Sequence, residues 1–138
     1  MNAKVFAIPC ALILSLILTG CNQYKVQKRV NSLEASITSY DVALRWAQYQ
    51  DAYAYHVSPN GTQPPANLER LNEISVTGVK PVQKIINEDH TEATVRYIIS
   101  YYIKDQGTLK EIKAEHNWWV NQETNQWFID SEFPKFFN

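Results

Sequence analysis

Few side chains in this chain can do chemistry near neutral pH: three histidines, His56, His90 and His116, and two cysteines, Cys10 and Cys21. An imidazole serves as a general base or a metal ligand, and a thiol as a nucleophile, a ligand or an attachment point. His116 falls in a run that alternates Ile112, Ala114, His116, Trp118 and Val120 with Glu111, Lys113, Glu115, Asn117 and Trp119. A half-buried strand has that period, so His116 is predicted to point inward with apolar neighbours. There it could act as a base while tyrosines polarise a carbonyl, or it could be a hydrogen-bonded core residue. The carboxylates an enzyme would pair with it fit poorly. Asp130 has the opposite parity from Trp127 and Ile129, and Glu111 and Glu115 face away. The histidines lie on three different elements without ligand spacing, and there is no glycine-rich phosphate loop and no Ser-His-Asp arrangement. The residues therefore predict no metal and no cofactor.

The elements that must position these groups are one helix and four strands. A helix is predicted from Leu33 to about Val57. Val42, Trp46, Tyr49, Tyr53 and His56 recur on one face, with Ile37, Tyr40, Leu44 and Ala47 on a neighbouring stripe. Asp41 and Arg45 can pair one turn apart. Ser58-Pro59-Asn60-Gly61 stops the helix, and Ala66 to Asn72 allows one or two further turns. Ile74 to Ile86 reads as a strand bent near Gly78 and Pro81, and Ala93 to Lys104 and Leu109 to Asn121 as alternating strands. Trp127 to Phe133 reads as a closing strand. This order predicts an α+β domain: a long helix packed in a curved four-stranded antiparallel meander.

Formal net charge is −1, and no basic stripe carries interleaved aromatics, which argues against a nucleic-acid partner. With 4 Trp, 8 Tyr and 5 Phe in 138 residues, the domain should have either a packed aromatic interior or a ligand cavity.

The N-terminus has the parts of an export leader. Lys4 precedes an apolar run from Val5 to Leu18 that, at about 14 residues, is too short for a membrane span of roughly 20. The following Leu18-Thr19-Gly20-Cys21 resembles the bacterial lipobox. That resemblance implies diacylglycerol on the Cys21 sulfur, cleavage before Cys21 and acylation (palmitate) of the new amino group. Residues 1–20 would be the leader, residues 21–32 the lipidated cysteine and a polar tether, and residues 33–138 the domain. Asn22 after the cysteine is compatible, by the same resemblance, with transfer to the outer membrane, facing the periplasm. Three acyl chains on one residue make attachment effectively permanent, since each buried methylene contributes about 0.8 kcal/mol. Cys10 leaves with the leader and Cys21 is consumed by lipid, so the core is held by packing alone.

Tyr40 to Ala47, the bent first strand and the terminal Gln126-Trp127-Phe128-Ile129-Asp130 together resemble a nuclear transport factor 2-like (cystatin-like) domain. In that superfamily a curved sheet wraps a helix into a cone. The extra hairpin of many members is missing, which implies an abbreviated cone with a shallower pocket. On this resemblance Tyr97, Tyr101, His116, Trp118 and Trp127 line the pocket. Trp119 and Phe128 form either an exposed partner surface or a patch covered by the tether or by Phe133 to Phe137. The function expected is a non-catalytic module binding an apolar small ligand or an envelope protein; the alternative is a small-molecule isomerase or hydrolase using His116.

Overall fold

A computed structural model describes the backbone of residues 7–137 and the side chains of residues 20–137. Helix α1 (Ala7–Arg45) is followed by a short helix α2 (Tyr49–Ala54), a 3-10 turn (Arg70–Glu73) and strands β1 (Ile74–Ile86), β2 (Glu92–Ile103), β3 (Leu109–Asn121) and β4 (Gln126–Ile129). The strands pair antiparallel in the order β1-β2-β3-β4. This is the α+β architecture that the pattern predicts, with the long N-terminal helix on the curved meander.

Register explains which face is dry. Ala93 lies opposite Trp118, Val95 opposite His116, Tyr97 opposite Ala114 and Ile99 opposite Ile112, all on the side of the sheet that meets α1. The other side carries polar pairs. Arg96 donates to Glu115 at 2.6 Å and to Gln83 at 2.7 Å, bridging three strands. The β1–β2 register shifts between Val76 and Gly78 and again between Pro81 and Gln83. Each inserted residue bends and twists its strand, which curls the sheet around the helix. The bend expected at Gly78 and Pro81 is therefore present.

The helix differs from expectation in two ways. It stops at Arg45, because Ala47 takes a left-handed conformation with φ 56°. The Gln48 N–H then donates to the Ala43 carbonyl at 2.8 Å and the Ala47 N–H to the Leu44 carbonyl at 3.3 Å, the two bonds of a Schellman cap. This break resets the helical phase. Leu33, Ile37, Tyr40, Ala43 and Leu44 are buried on α1 and Tyr49 and Ala52 on α2, whereas Val42 and Trp46 lie outside, Trp46 at 72% exposure. Counting Val42 and Trp46 on one face with Tyr49 and His56 ran the 3.6-residue period through a cap it does not survive. A left-handed alanine costs about 1 kcal/mol that glycine avoids. Ala47→Gly is therefore expected to raise stability by roughly 0.5–1 kcal/mol, read as a higher urea midpoint at unchanged slope.

The second difference is at the expected tether. Residues 22–32 continue α1 rather than forming an extended linker. They contain no glycine or proline, and Gln27 and Asn31 bond one turn apart at 2.8 Å. As helix, these eleven residues span about 16 Å instead of the roughly 38 Å of an extended chain. The folded unit also starts before residue 33. The Trp127 indole N–H donates to the Arg29 carbonyl and to the Ser32 hydroxyl, and Arg29 reaches the Asp89 carbonyl. Glu34 pairs with Lys84 of β1. Of the expected leader and lipobox, only Gly20 and Cys21 lie among the residues whose side chains are described, and Cys21 is exposed.

Finally, β4 is four residues long, ending at Ile129 rather than Phe133. Its last contact with β3 is the Asp130 N–H on the Asn117 carbonyl at 2.7 Å. Beyond it the chain turns under the sheet, because Phe133 and Phe136 are buried in the core. The outer edge of β4 is covered in turn by the stretch after α2, with the Ile129 N–H on the Tyr55 carbonyl at 2.7 Å.

Candidate functional site

The residues expected to line a pocket are all inside, each at most 4% exposed, but they do not share one cavity: Trp118, His116 and Tyr101 each border a different open groove. Tyr40 of α1 inserts between them. Its ring meets His116 edge-on at 5.1 Å, His56 at 5.6 Å and Trp118 at 6.1 Å. Tyr97 lies 4.9 Å from His116 and accepts the Trp118 indole N–H at 3.2 Å. Trp127 is turned toward α1, and the Tyr101 hydroxyl donates to the Phe136 carbonyl at 2.8 Å. The expected cavity is therefore an aromatic core. Sequence reasoning placed Tyr40 and His56 on separate helical stripes and so missed that both meet His116. The signal available was the Ile37, Tyr40, Leu44 stripe, which is the one that is buried.

At the centre two imidazoles, His56 and His116, stand 5.3 Å apart at an interplanar angle of 89°. Their surroundings differ. His56 Nδ1 faces the Ser131 carbonyl at 2.9 Å, and a carbonyl only accepts, so Nδ1 carries the proton. Nε2 is then a bare acceptor, and the Tyr40 hydroxyl donates to it at 3.0 Å. The neutral ring is thus used on both nitrogens, and burial holds its pKa down at about 4 despite the Ser131 bond, which pulls it up. His116 has no hydrogen-bond partner on either nitrogen. Burial first, and His56 beside it second, push its pKa down to about 3. Burial likewise raises the Tyr40 and Tyr97 hydroxyls well above their usual value.

This chemistry suits structure better than turnover. A base that titrates near 3 is weak at neutral pH, and His116 is 1% exposed. Among the described residues no second polar group bonds it, as a catalytic pair would require. His90 sits apart in the β1–β2 turn, with φ 55°. No three His, Cys, Asp or Glu side chains converge on a metal-sized site among the described residues.

No family model, curated protein or solved structure matches the chain.

Trp119 points out of the sheet as its parity requires, stacked on Phe128 at 5.4 Å. Neither the expected tether nor the C-terminal segment is bonded to it. The loop after α2 covers it instead, and its indole N–H donates to the Val57 carbonyl at 2.8 Å. Trp119 and Phe128 are half-buried. A shallow groove of about 310 Å³ beside them runs between Pro59, Ile85, Asn87, Thr94 and Asp130. The C-terminal segment closes the opposite end of the core. Phe133 packs 5.1 Å from His56, Phe136 5.1 Å from Tyr101, and the Arg70 guanidinium lies 4.0 Å over the Phe137 ring.

Proposed function

We propose that the chain is a lipid-anchored envelope protein, held by acyl chains on Cys21 at the outer membrane and facing the periplasm, whose domain binds protein and performs no turnover. The observation that carries the protein-binding half is the filled interior: Tyr40, Phe133 and Phe136 occupy the space a small apolar ligand would need. The lipobox-like Leu18-Thr19-Gly20-Cys21 supports the anchor, and Cys21 is exposed on the helix that leads into the domain. Among the described residues no helix is long and apolar enough to cross a membrane. The long helix α1, followed by the short α2 and a bulged four-strand meander, supports reading the domain as an abbreviated nuclear transport factor 2-like (cystatin-like) cone. Fold alone does not determine activity in so varied a superfamily.

The anchor is tested by metabolic labelling with palmitate in a Gram-negative host, comparing the full chain with Cys21→Ser. The expected outcome is label and membrane partitioning in the wild type and loss of both in the variant. Equal labelling of the two chains would overturn the anchor.

A further inference from the structure

The sheet has two edges, and they are built differently. β1 carries Pro81, two bulges and Lys84 turned into an ion pair with Glu34, all devices that stop another strand from adding. β3 is 13 residues long but pairs with β4 only from Trp118 to Asn121. Its first half, Leu109 to His116, has β2 on one side and no strand on the other. It contains no proline, glycine or register shift.

Hydrogen-bond parity shows which groups this edge presents. The Val120 N–H bonds to Thr91, on the β2 side, and the Asn117 carbonyl accepts from Asp130, on the β4 side. Even residues of β3 therefore face β2, and Leu109, Glu111, Lys113 and Glu115 direct their N–H and C=O groups outward. The C-terminal segment makes no hydrogen bond to them: Glu132 to Lys135 border the edge across an open groove of about 440 Å³, and Phe136 packs beneath the inner face against Tyr101.

We propose that this edge pairs antiparallel with the same edge of a second copy, joining two meanders into one eight-stranded sheet about a two-fold axis at Ile112. The charge order selects the partner and the register. With Ile112 opposite Ile112, Glu111 of each copy lies opposite Lys113 of the other, twice by symmetry. Leu109 and Glu115 then fall opposite each other, so the pairing uses the free stretch alone and does not collide with β4. About eight backbone hydrogen bonds form. A shift of two residues in one direction would set Lys113 against Lys113 and Glu111 against Glu115. The proposal deepens the protein-binding reading by naming the partner, and it does not depend on the lipid.

The test is the solution mass of the full chain in mild detergent, by sedimentation, for the wild type, Glu111→Lys, Lys113→Glu and the double exchange. A dimer is expected for the wild type and the double exchange, with dissociation about tenfold easier in each single variant. In a Cys10→Ser, Cys21→Ser chain, Ile112→Cys should form an intermolecular disulfide on mild oxidation, because residues facing each other at the axis lie within disulfide range, whereas Lys110→Cys should not. Near-ultraviolet circular dichroism of the aromatic core verifies that every variant is folded. A monomeric wild type, singles as tightly dimeric as the wild type, or equal cross-linking at 110 and 112 would each overturn the proposal. Palmitate labelling is scored separately, so an unlabelled dimer defeats the anchor alone and a labelled monomer defeats the edge pairing alone.

Discussion

Acidification from pH 7 to about 4 is expected to lower the domain's stability by about 6 kcal/mol. His56 and His116 are both buried and neutral, with pKa values held down at about 4 and about 3. In the unfolded chain each titrates near 6.5. Above that value neither state binds the extra proton, and stability is independent of these groups. As pH falls below it the unfolded chain takes up protons that the folded one refuses, so stability declines. The slope approaches about 2.7 kcal/mol per pH unit for two such groups. It eases near pH 4, where His56 begins to protonate in the folded state. Nothing around the pair compensates the charge. Tyr40 on α1 and Tyr97 on β2 are neutral phenols, and each imidazole repels the other once charged. Asp41, whose charge acts on Tyr97, has its own pKa raised by burial, against the pull of Arg45 at 3.3 Å. The loss accumulated between pH 6.5 and 4 is about 6 kcal/mol, which exceeds the low end of typical domain stabilities of about 5–15 kcal/mol. Urea midpoints measured from pH 8 to 4 should be flat to about 6.5 and then fall steeply; a constant midpoint down to pH 4.5 would contradict the neutral histidine pair.

That pair also shows where sequence reasoning succeeds and where it stops. Strand alternation is a local property, and it set the inward face of β2 and β3 correctly, His116 included, because a two-residue period has no phase to lose between Leu109 and Asn121. The bend in β1 was legible for the same reason: Gly78 and Pro81 are backbone signals. The helix failed where phase depended on an unmarked cap. Ala47 adopts the left-handed conformation that usually advertises itself as glycine, so nothing in the composition warned that Trp46 and Tyr49 belong to different helices. The closing strand failed for a long-range reason. Phe133 and Phe136 alternate poorly but bury well, and burial beside His56 and Tyr101 outweighs continued pairing with β3. This detour is also what fills the expected pocket and leaves half of β3 without a partner strand. The inward orientation of Tyr97, Tyr101, His116, Trp118 and Trp127 was thus legible residue by residue, while their arrangement around Tyr40 and His56 depended on contacts 60 to 80 positions apart, such as that of His56 with Ser131.

Replacing the two histidines by leucine should affect stability very differently, a clear loss at His56 and none at His116, although both are buried with ring centroids 5.3 Å apart. His56 joins three elements: the Tyr40 hydroxyl donates to one nitrogen and the other donates to the Ser131 carbonyl. His56→Leu leaves that hydroxyl and that carbonyl buried without partners, each a penalty of about 1–3 kcal/mol, and frees the start of the C-terminal segment. A loss of about 3 kcal/mol is expected. His116 bonds to nothing through either nitrogen, so the folded state already bears the cost of desolvating its N–H and its lone pair. His116→Leu keeps a similar volume against Tyr40 and Tyr97 and removes that cost, and should leave the domain unchanged or up to about 2 kcal/mol more stable at pH 7. It should also halve the acid slope, because one of the two refused protons is gone. Urea denaturation of both variants at pH 7 and pH 5 decides the matter. A His116→Leu protein that loses several kcal/mol at pH 7 would mean that the imidazole has a bonding partner in solution, and the structural reading of the pair would fall.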